Sequence, residues 1–234
     1  LTVTIINRGD VDLAVVLAIS DLHFPYQHPH AFDWLAQLKK EFNPDKIICL
    51  GDEVEMAAMG FHDKNPMMPS AGDEYKYALA CMKTLYKIFP EMDICVSNHG
   101  SRLYRRAFTN GIPEAMVKAY RELWDAPSTY NWFGRINFEN VIYEHGDGGG
   151  SGRNAAFVAM QANRMSTVIG HIHSFGGVQY SATPFGEHFA LNTGCLIDLK
   201  SPAFLYAEKY RNKPTIGLGL VIDGKLAHFL RMPD

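Results

Sequence analysis

Uninterrupted apolar runs bounded by polar turns predict buried strands at Leu13 to Ile19, Lys46 to Leu50, Met92 to Val96, Val141 to Glu144 and Thr167 to Ile169. Between them the apolar positions recur at helical spacing. Leu35 and Leu38 share one face of a helix running from about Phe32 to Phe42. Ala78, Met82, Leu85 and Phe89, at steps of four, three and four, mark a second helix that packs on a sheet. A third is predicted after Pro113, a residue suited to a first helical turn, with Met116, Tyr120 and Leu123 together on one side. A fourth is predicted from Asn154 to Met165.

After Gly176 the texture changes to short β-rich segments, "GGVQYSA", "EHFALNT", "PTIGLGLVID" and "LAHFLRM", separated by Pro, Gly and Asn-Lys turns. They read as a second, mainly antiparallel sheet. Strands alternating with helices and then a β-rich finish place the chain in the α/β class, with two sheets packed face to face and helices outside. Residues 56–72 and 125–135 read as long irregular connections, the kind of segment that walls a site on a rigid scaffold. The whole length, 1–234, is read as one domain.

Composition narrows the classes. Hydrophobic residues at 47% and charged residues at 20% are ordinary globular values, and no apolar run is long enough to span a bilayer. No membrane association or secretory signal is therefore expected. A formal charge of -3 argues against a broad nucleic-acid-coating surface, though a local basic groove stays open. Cys49, Cys81, Cys95 and Cys195 lack Cys-x-x-Cys spacing and read as small hydrophobes in a reducing, cytoplasmic setting.

The chemistry gathers where strands end. "AISDLH" gives Asp21 and His23, "ICLGDEVE" gives Asp52, "CVSNHGS" gives Asn98 and His99, "YEHGDGG" gives His145, and "VIGHIHS" gives His171 and His173. In an open α/β sheet the carboxyl ends of neighbouring strands face one crevice, so these five clusters can converge. Each cluster alone also fits an ordinary turn. Five of them, all drawn from His, Asp and Asn, are hard to attribute to turn chemistry.

The ordered set Asp-x-His, Gly-Asp, Asn-His, His and Gly-His-x-His, from Asp21 to His173, resembles the calcineurin-like metallophosphoesterases. "SDLHFPYQHP" and "NTGCLIDL" add a looser similarity to phosphoesterases of phage and bacterial genomes. The resemblance implies a four-layer αββα sandwich and a site for two divalent ions, Mn²⁺ first, with Fe, Zn²⁺ or Ni²⁺ as alternatives. It implies Asp21, His23 and His173 as ligands of one ion and Asn98, His145 and His171 as ligands of the other, with Asp52 bridging both. It implies His99 as a catalytic histidine facing substrate, and Arg102 as a substrate-binding arginine.

With only Asp21 and Asp52 as anionic ligands, two divalent ions would leave the site about two charges positive, which favours a phosphate dianion and a metal-bound hydroxide. The expected reaction is hydrolysis of a phosphate ester by metal-activated water. A phosphodiester of nucleotide or nucleic-acid type is the first expectation, because Arg102, Arg105 and Arg106 are close to the site and Phe61, Tyr130 and Trp132 offer rings on which bases stack. The alternatives are a phosphomonoesterase, including a phosphoprotein phosphatase, and a catalytically silent metal-binding scaffold. Two departures stand out: Gly100 follows His99 where many relatives carry an acid, and Ser97 precedes Asn98 where Gly is usual. Glu55 reads equally as a partner for a ligand histidine and as a helix-start carboxylate. The glycine-rich run after His145 reads equally as an anion cradle and as a flexible turn, and His62 as a pocket wall or loop surface. Because ligand imidazoles must be neutral, metal affinity is expected to fall below about pH 6.

Overall fold

Successive residues of the first strand face opposite cores, as the period-two geometry of a strand requires. Val16 and Ala18 pack with Ile48, Leu50, Cys95, Val168 and Leu191, while Leu17 and Ile19 pack with Trp34, Leu35, Met82 and Leu85. A strand buried on both sides reads as a continuous apolar run, the pattern its sequence shows. The computed structural model describes residues 13–61, 66–184, 186–204 and 211–233.

In chain order the elements are β1 Val15–Ile19, α1 Ala31–Phe42, β2 Lys46–Cys49, α2 Ala71–Ile88, β3 Met92–Cys95, α3 Arg102–Thr109, α4 Tyr120–Leu123, β4 Tyr130–Phe133, β5 Ile136–Phe138, β6 Val141–Glu144, α5 Ala155–Asn163, β7 Ser166–Ile169, β8 Gly176–Thr183, β9 Gly186–Thr193, β10 Gly217–Ile222 and β11 Leu226–Arg231. One mixed sheet runs β11-β10-β1-β2-β3-β4 and the other β5-β6-β7-β9-β8. Strands β1 to β4 are parallel, with Ile19 opposite Cys49 and Ile94 opposite Trp132. In the second sheet β6, β7 and β9 are parallel, and β5 and β8 are antiparallel edges.

The sheets meet face to face through one apolar layer. Helices α1 and α2 cover the outer face of the first sheet, and Ala155, Ala156 and Met160 of α5 sit against Ile169 and Ala190 on the other. The layer order is αββα, as the resemblance implied. Ser70 starts α2 by accepting the Asp73 amide at 3.2 Å, a side-chain cap of the usual kind.

Three local expectations are corrected. The β-rich finish is divided: β8 and β9 complete the second sheet, whereas β10 crosses to pair antiparallel with β1, Val221 opposite Val16. The helix expected after Pro113 breaks into a 3-10 turn at Glu114–Met116 and the short α4. Val117 and Ala119 are extended, and the Tyr104 hydroxyl donates to the Lys118 carbonyl at 2.8 Å, an acceptor a continuous helix would have used. Residues 125–135, expected as irregular, contain β4, which pairs with β3 through the Met92–Tyr130 register.

All four cysteines are free, and three are buried. Among the described residues no helix is long and apolar enough to cross a membrane.

Candidate metal centre

The polar clusters converge because β1, β2, β3, β6 and β7 end at one edge of the sandwich. The chain zips the first two ends together: Asp21 N–H donates to the Gly51 carbonyl at 3.0 Å and His23 N–H to the Asp52 carbonyl at 2.8 Å. Asp21, His23, Asp52 and His171 all have positive φ, between 48° and 64°. Such backbone is uncommon for residues with a side chain and collects at functional sites. Gly51, at φ 97°, lies so close to Ser97 that an added Cβ would stand 2.5 Å from the serine Cβ. A Cβ on Gly170 would meet Asp21 Oδ2 at 2.6 Å, so this turn also needs glycine.

Among the described residues three groups of metal-competent atoms result: Asp21, His23 and His173; Asp52, His145 and His171; and His23, Glu55 and His99. In the first, Asp21 Oδ1 is 3.0 Å from His173 Nε2 and 3.7 Å from His23 Nε2. In the second, Asp52 Oδ2 is 3.3 Å from His145 Nε2, and Asn98 Oδ1 approaches that nitrogen to 2.7 Å. Asp52 Oδ2 is also 3.7 Å from His23 Nε2, so one buried carboxylate stands between the two groups. All seven residues expected as ligands therefore gather in one place.

The donors fit a pair of cations. Nε2 of His23 and Nε2 of His173 face each other at 3.2 Å across Asp21, a cradle that a cation between them would satisfy. His145 Nδ1 donates to the Leu50 carbonyl at 2.9 Å, which fixes the tautomer and turns Nε2 toward Asp52. Carboxylate, amide oxygen and imidazole without thiolate suit Mn²⁺, Fe or Zn²⁺.

Charge in the centre follows from these contacts. Burial opposes ionisation of Asp21, but the His173 imidazole bonded to it holds the carboxyl well below the usual carboxylate range. Burial likewise opposes Asp52, and His145 and His99 overcome it. Burial disfavours a charged His23, yet the Glu55 carboxylate beside it raises the imidazole to about 10. His145 is raised against burial by Asp52, to about 9. His171 moves the other way, lowered by burial and by His145.

Glu55 is the residue whose role the sequence left open. Its Oε2 accepts from His23 Nδ1 at 2.5 Å and stands 3.0 Å from His99 Nδ1, while its Oε1 takes Arg102 Nη1 at 3.0 Å. Arg102 Nη2 approaches His99 Nε2 at 3.1 Å. A guanidinium only donates, so Nε2 accepts and Nδ1 carries the hydrogen toward Glu55. Arg102 thus lies at the site, with its charge directed to Glu55. Arg106 closes residues 59 and 60 onto α3 through their carbonyls, and Arg105 donates to the Asn98 carbonyl at 2.9 Å.

The two departures are occupied. Ser97 Oγ accepts the Asp52 amide at 2.8 Å and the Gly100 amide at 3.2 Å, tying the β2 and β3 ends together. Beside Gly100, an added Cβ would come 3.4 Å from Glu53 Oε1. Glu53 is buried, accepts Trp132 Nε1 at 3.3 Å, and is raised by burial to about 7. Neither Glu53 nor Ser97 was singled out as a supporting group by the sequence; the signal available was their placement one residue from Asp52 and from Asn98.

Other expectations shift. Tyr130 is fully buried with its hydroxyl on the Phe89 carbonyl, and Trp132 stacks on Tyr120 with an interplanar angle of 10°. Tyr130 therefore presents no free face for a base, and one face of Trp132 is taken by Tyr120. Phe61 is exposed. In the connection over residues 56–72, Met56 is buried in the core and Met67 is exposed. "NTGCLIDL" acts through backbone and hydroxyls: Leu196 N–H donates to the Asp21 carbonyl, and Thr193 shares a hydrogen bond with Ser20. His62 lies outside the described residues.

No protein-family model and no curated protein matches the chain. Solved structures to which it is similar include a metallophosphoesterase from Sphaerobacter thermophilus, 13% identical over 94% of this chain and 88% of that one, with a TM-score of 0.45. Vacuolar Protein Sorting 29 from Cryptosporidium parvum is 13% identical over 94% and 99%, with a TM-score of 0.42. Wild-type Vps29 complexed with Zn²⁺, from Entamoeba histolytica, is 15% identical over 93% and 98%, with a TM-score of 0.37.

Proposed function

We propose that this protein is a dinuclear-metal phosphoesterase that hydrolyses phosphodiesters, with nucleotides or nucleic acid as the substrate class. The observation that carries the reading is the position of Asp52, whose Oδ2 lies between the His23 and His145 nitrogens at 3.7 and 3.3 Å. Asp21, His23 and His173 would hold one ion, Asn98, His145 and His171 the other, and Asp52 both. Two divalent ions held in this way supply Lewis acidity to a phosphoryl group and lower the pKa of water.

The chain's own residues do the rest. Asp52 Oδ1 accepts the His99 amide at 3.0 Å, so the bridging carboxylate and the catalytic histidine are fixed to each other. The His99 side chain is 17% exposed, and Nε2 is its edge away from Glu55. A proton arriving at Nε2 displaces Arg102, and Nδ1–H stays anchored on Glu55; the ring can then deliver that proton to a departing alkoxide. Glu55 draws the Arg102 charge away from substrate. With that cation neutralised, Arg102 offers no additional charge for the second negative charge of a monoester dianion.

Hydrolysis of bis(p-nitrophenyl) phosphate and p-nitrophenyl phosphate with added Mn²⁺, alongside metal content, tests the reading. The expected result is two ions per chain and metal-dependent turnover, faster on the diester. Turnover on the monoester alone transfers the assignment to a phosphomonoesterase. Two bound ions with neither reaction would mean a silent metal-binding scaffold.

A further inference from the structure

Beside the metal centre, α3 and the turn after it form a groove of about 540 Å³ lined by Phe61, Tyr104, Arg105, Phe108, Ile112 and Glu114. Its apolar walls are unusually open, with Phe108 83% exposed, Ile112 46% and Phe61 43%. The volume is that of a small-molecule site.

The groove is mounted on the same rigid parts as the centre. Arg105, on its wall, donates to the carbonyl of Asn98, a candidate metal ligand, at 2.9 Å. The Arg105 and Arg106 guanidinium groups lie 4.8 and 4.2 Å from the Phe61 ring centroid. From Tyr104 a run of rings leads inward: Tyr104 packs on Tyr120 at 4.5 Å, Tyr120 stacks on Trp132 at 5.7 Å, and the Trp132 indole N–H reaches Glu53, the neighbour of Asp52.

Resting on the phosphodiesterase reading above, we propose that this groove receives the nucleobase next to the scissile phosphate of a single-stranded nucleic acid. Phe108, the most exposed ring of the walls, offers an aromatic face on which any base stacks. The exposed Arg105 stands between groove and centre, where the strand's phosphates must pass, and supplies positive charge on an otherwise acidic protein. Glu114 gives the rim an acceptor for an exocyclic amine. A base inside a duplex is stacked and paired and must be pulled out to enter, a cost that an unpaired strand does not bear. A protein helix would match the apolar walls, but the arginine edge on the side of the centre favours an anionic chain.

The test is binding, measured apart from turnover. A labelled, phosphorothioate-linked tetradeoxycytidylate and the same strand with abasic sugars are titrated by fluorescence anisotropy onto the Mn²⁺-supplemented protein. The base-bearing strand should bind at least about tenfold more tightly. Phe108→Ser, at a surface position, should bring that ratio near one while leaving the melting temperature unchanged. Leu226→Ser, on an exposed site of β11, should leave the ratio as it is. A native ratio near one, a ratio undiminished in Phe108→Ser, or tighter binding of duplex overturns the proposal. Hydrolysis of bis(p-nitrophenyl) phosphate is read in parallel. If it is absent the phosphoesterase reading falls, while the binding ratio still decides what the groove holds.

Discussion

Glu55 meets His99 twice: its carboxylate Oε2 stands 3.0 Å from His99 Nδ1, and its own carbonyl oxygen lies 3.1 Å from the same nitrogen. A histidine followed by glycine therefore still has an acid behind it, supplied three residues after Asp52 instead of one residue after the histidine. The same carboxylate holds His23 Nδ1, so one side chain orients both a candidate metal ligand and the ring proposed as the acid.

Glu55→Gln should consequently disturb two properties together. Metal affinity should fall by about 10- to 100-fold, the usual cost of losing a group behind a ligand histidine. The alkaline limb of the kcat profile should also move, because His99, which must carry a proton to act as the acid, loses its carboxylate. Titration calorimetry with Mn²⁺ and a pH-rate series check both. A change in affinity with an unmoved profile would confine Glu55 to the metal side.

His99→Ala separates turnover from metal binding. His99 bonds to Asp52 through its backbone amide, which alanine retains, so both ions should still bind. Turnover on bis(p-nitrophenyl) phosphate should drop by about a hundredfold to ten-thousandfold. Metal analysis of the purified variant, with its kcat, decides the matter, and an unchanged rate would remove His99 from the mechanism.

Asp52→Ala should reduce the bound metal to one ion per chain or fewer, since Asp52 Oδ2 faces a histidine nitrogen of each group. Mass-spectrometric metal counting under native conditions reads this directly. Retention of two ions would reject the bridging assignment.

Much of this was legible in the sequence, for a physical reason. Buried parallel strands are written as continuous apolar runs, and Asp21, Asp52, Asn98, His145 and His171 each follow one of them, so a single parallel-strand edge implied their meeting. Pairing between distant strands is written nowhere in particular. β10 has the same two-residue period whether it joins β9 or β1, and only the fit of Gly219 between Leu191 and Ala18 in the assembled sandwich reveals the choice. Trp132 and Tyr130 looked like surface rings because the run that contains them is short and polar-flanked; pairing of β4 with β3 buries one and directs the other to Glu53. Glu55 stayed ambiguous because a carboxylate near a turn has a local explanation as good as its distant one.

Glu53 makes a separate mark on stability. Its carboxyl is raised by burial from 4.5 to about 7, so the folded protein binds a proton there that the unfolded chain has released. That contribution is full below pH 4.5 and is lost as pH rises through about 7. Glu53→Gln cannot ionise. The melting temperature of the native protein relative to this variant should therefore decline between pH 5 and pH 8, in metal-free buffer. A constant difference would mean that Glu53 keeps an ordinary carboxyl.

Metal binding should compete with protons well above the pH expected from the sequence alone. His23 and His145 are raised to about 10 and about 9 by Glu55 and Asp52, so without metal both carry protons at neutral pH. A divalent ion needs the neutral imidazole, and each binding event must release protons. Affinity should thus keep climbing from pH 6.5 to about 9, with the onset displaced upward from the value near 6 set by unperturbed histidines. The sign for the metal-free fold is opposite. A raised histidine stabilises the folded state fully below its unfolded value of 6.5, and that gain is lost as pH passes through about 9 and about 10. Thermal melts with EDTA should fall across this window, while melts with Mn²⁺ hold, so that the gap between them widens with pH. Calorimetry in two buffers of different ionisation enthalpy should register net proton release at pH 7. Binding without proton release, together with a constant gap, would show that the two imidazoles are already neutral and that the carboxylates do not control them.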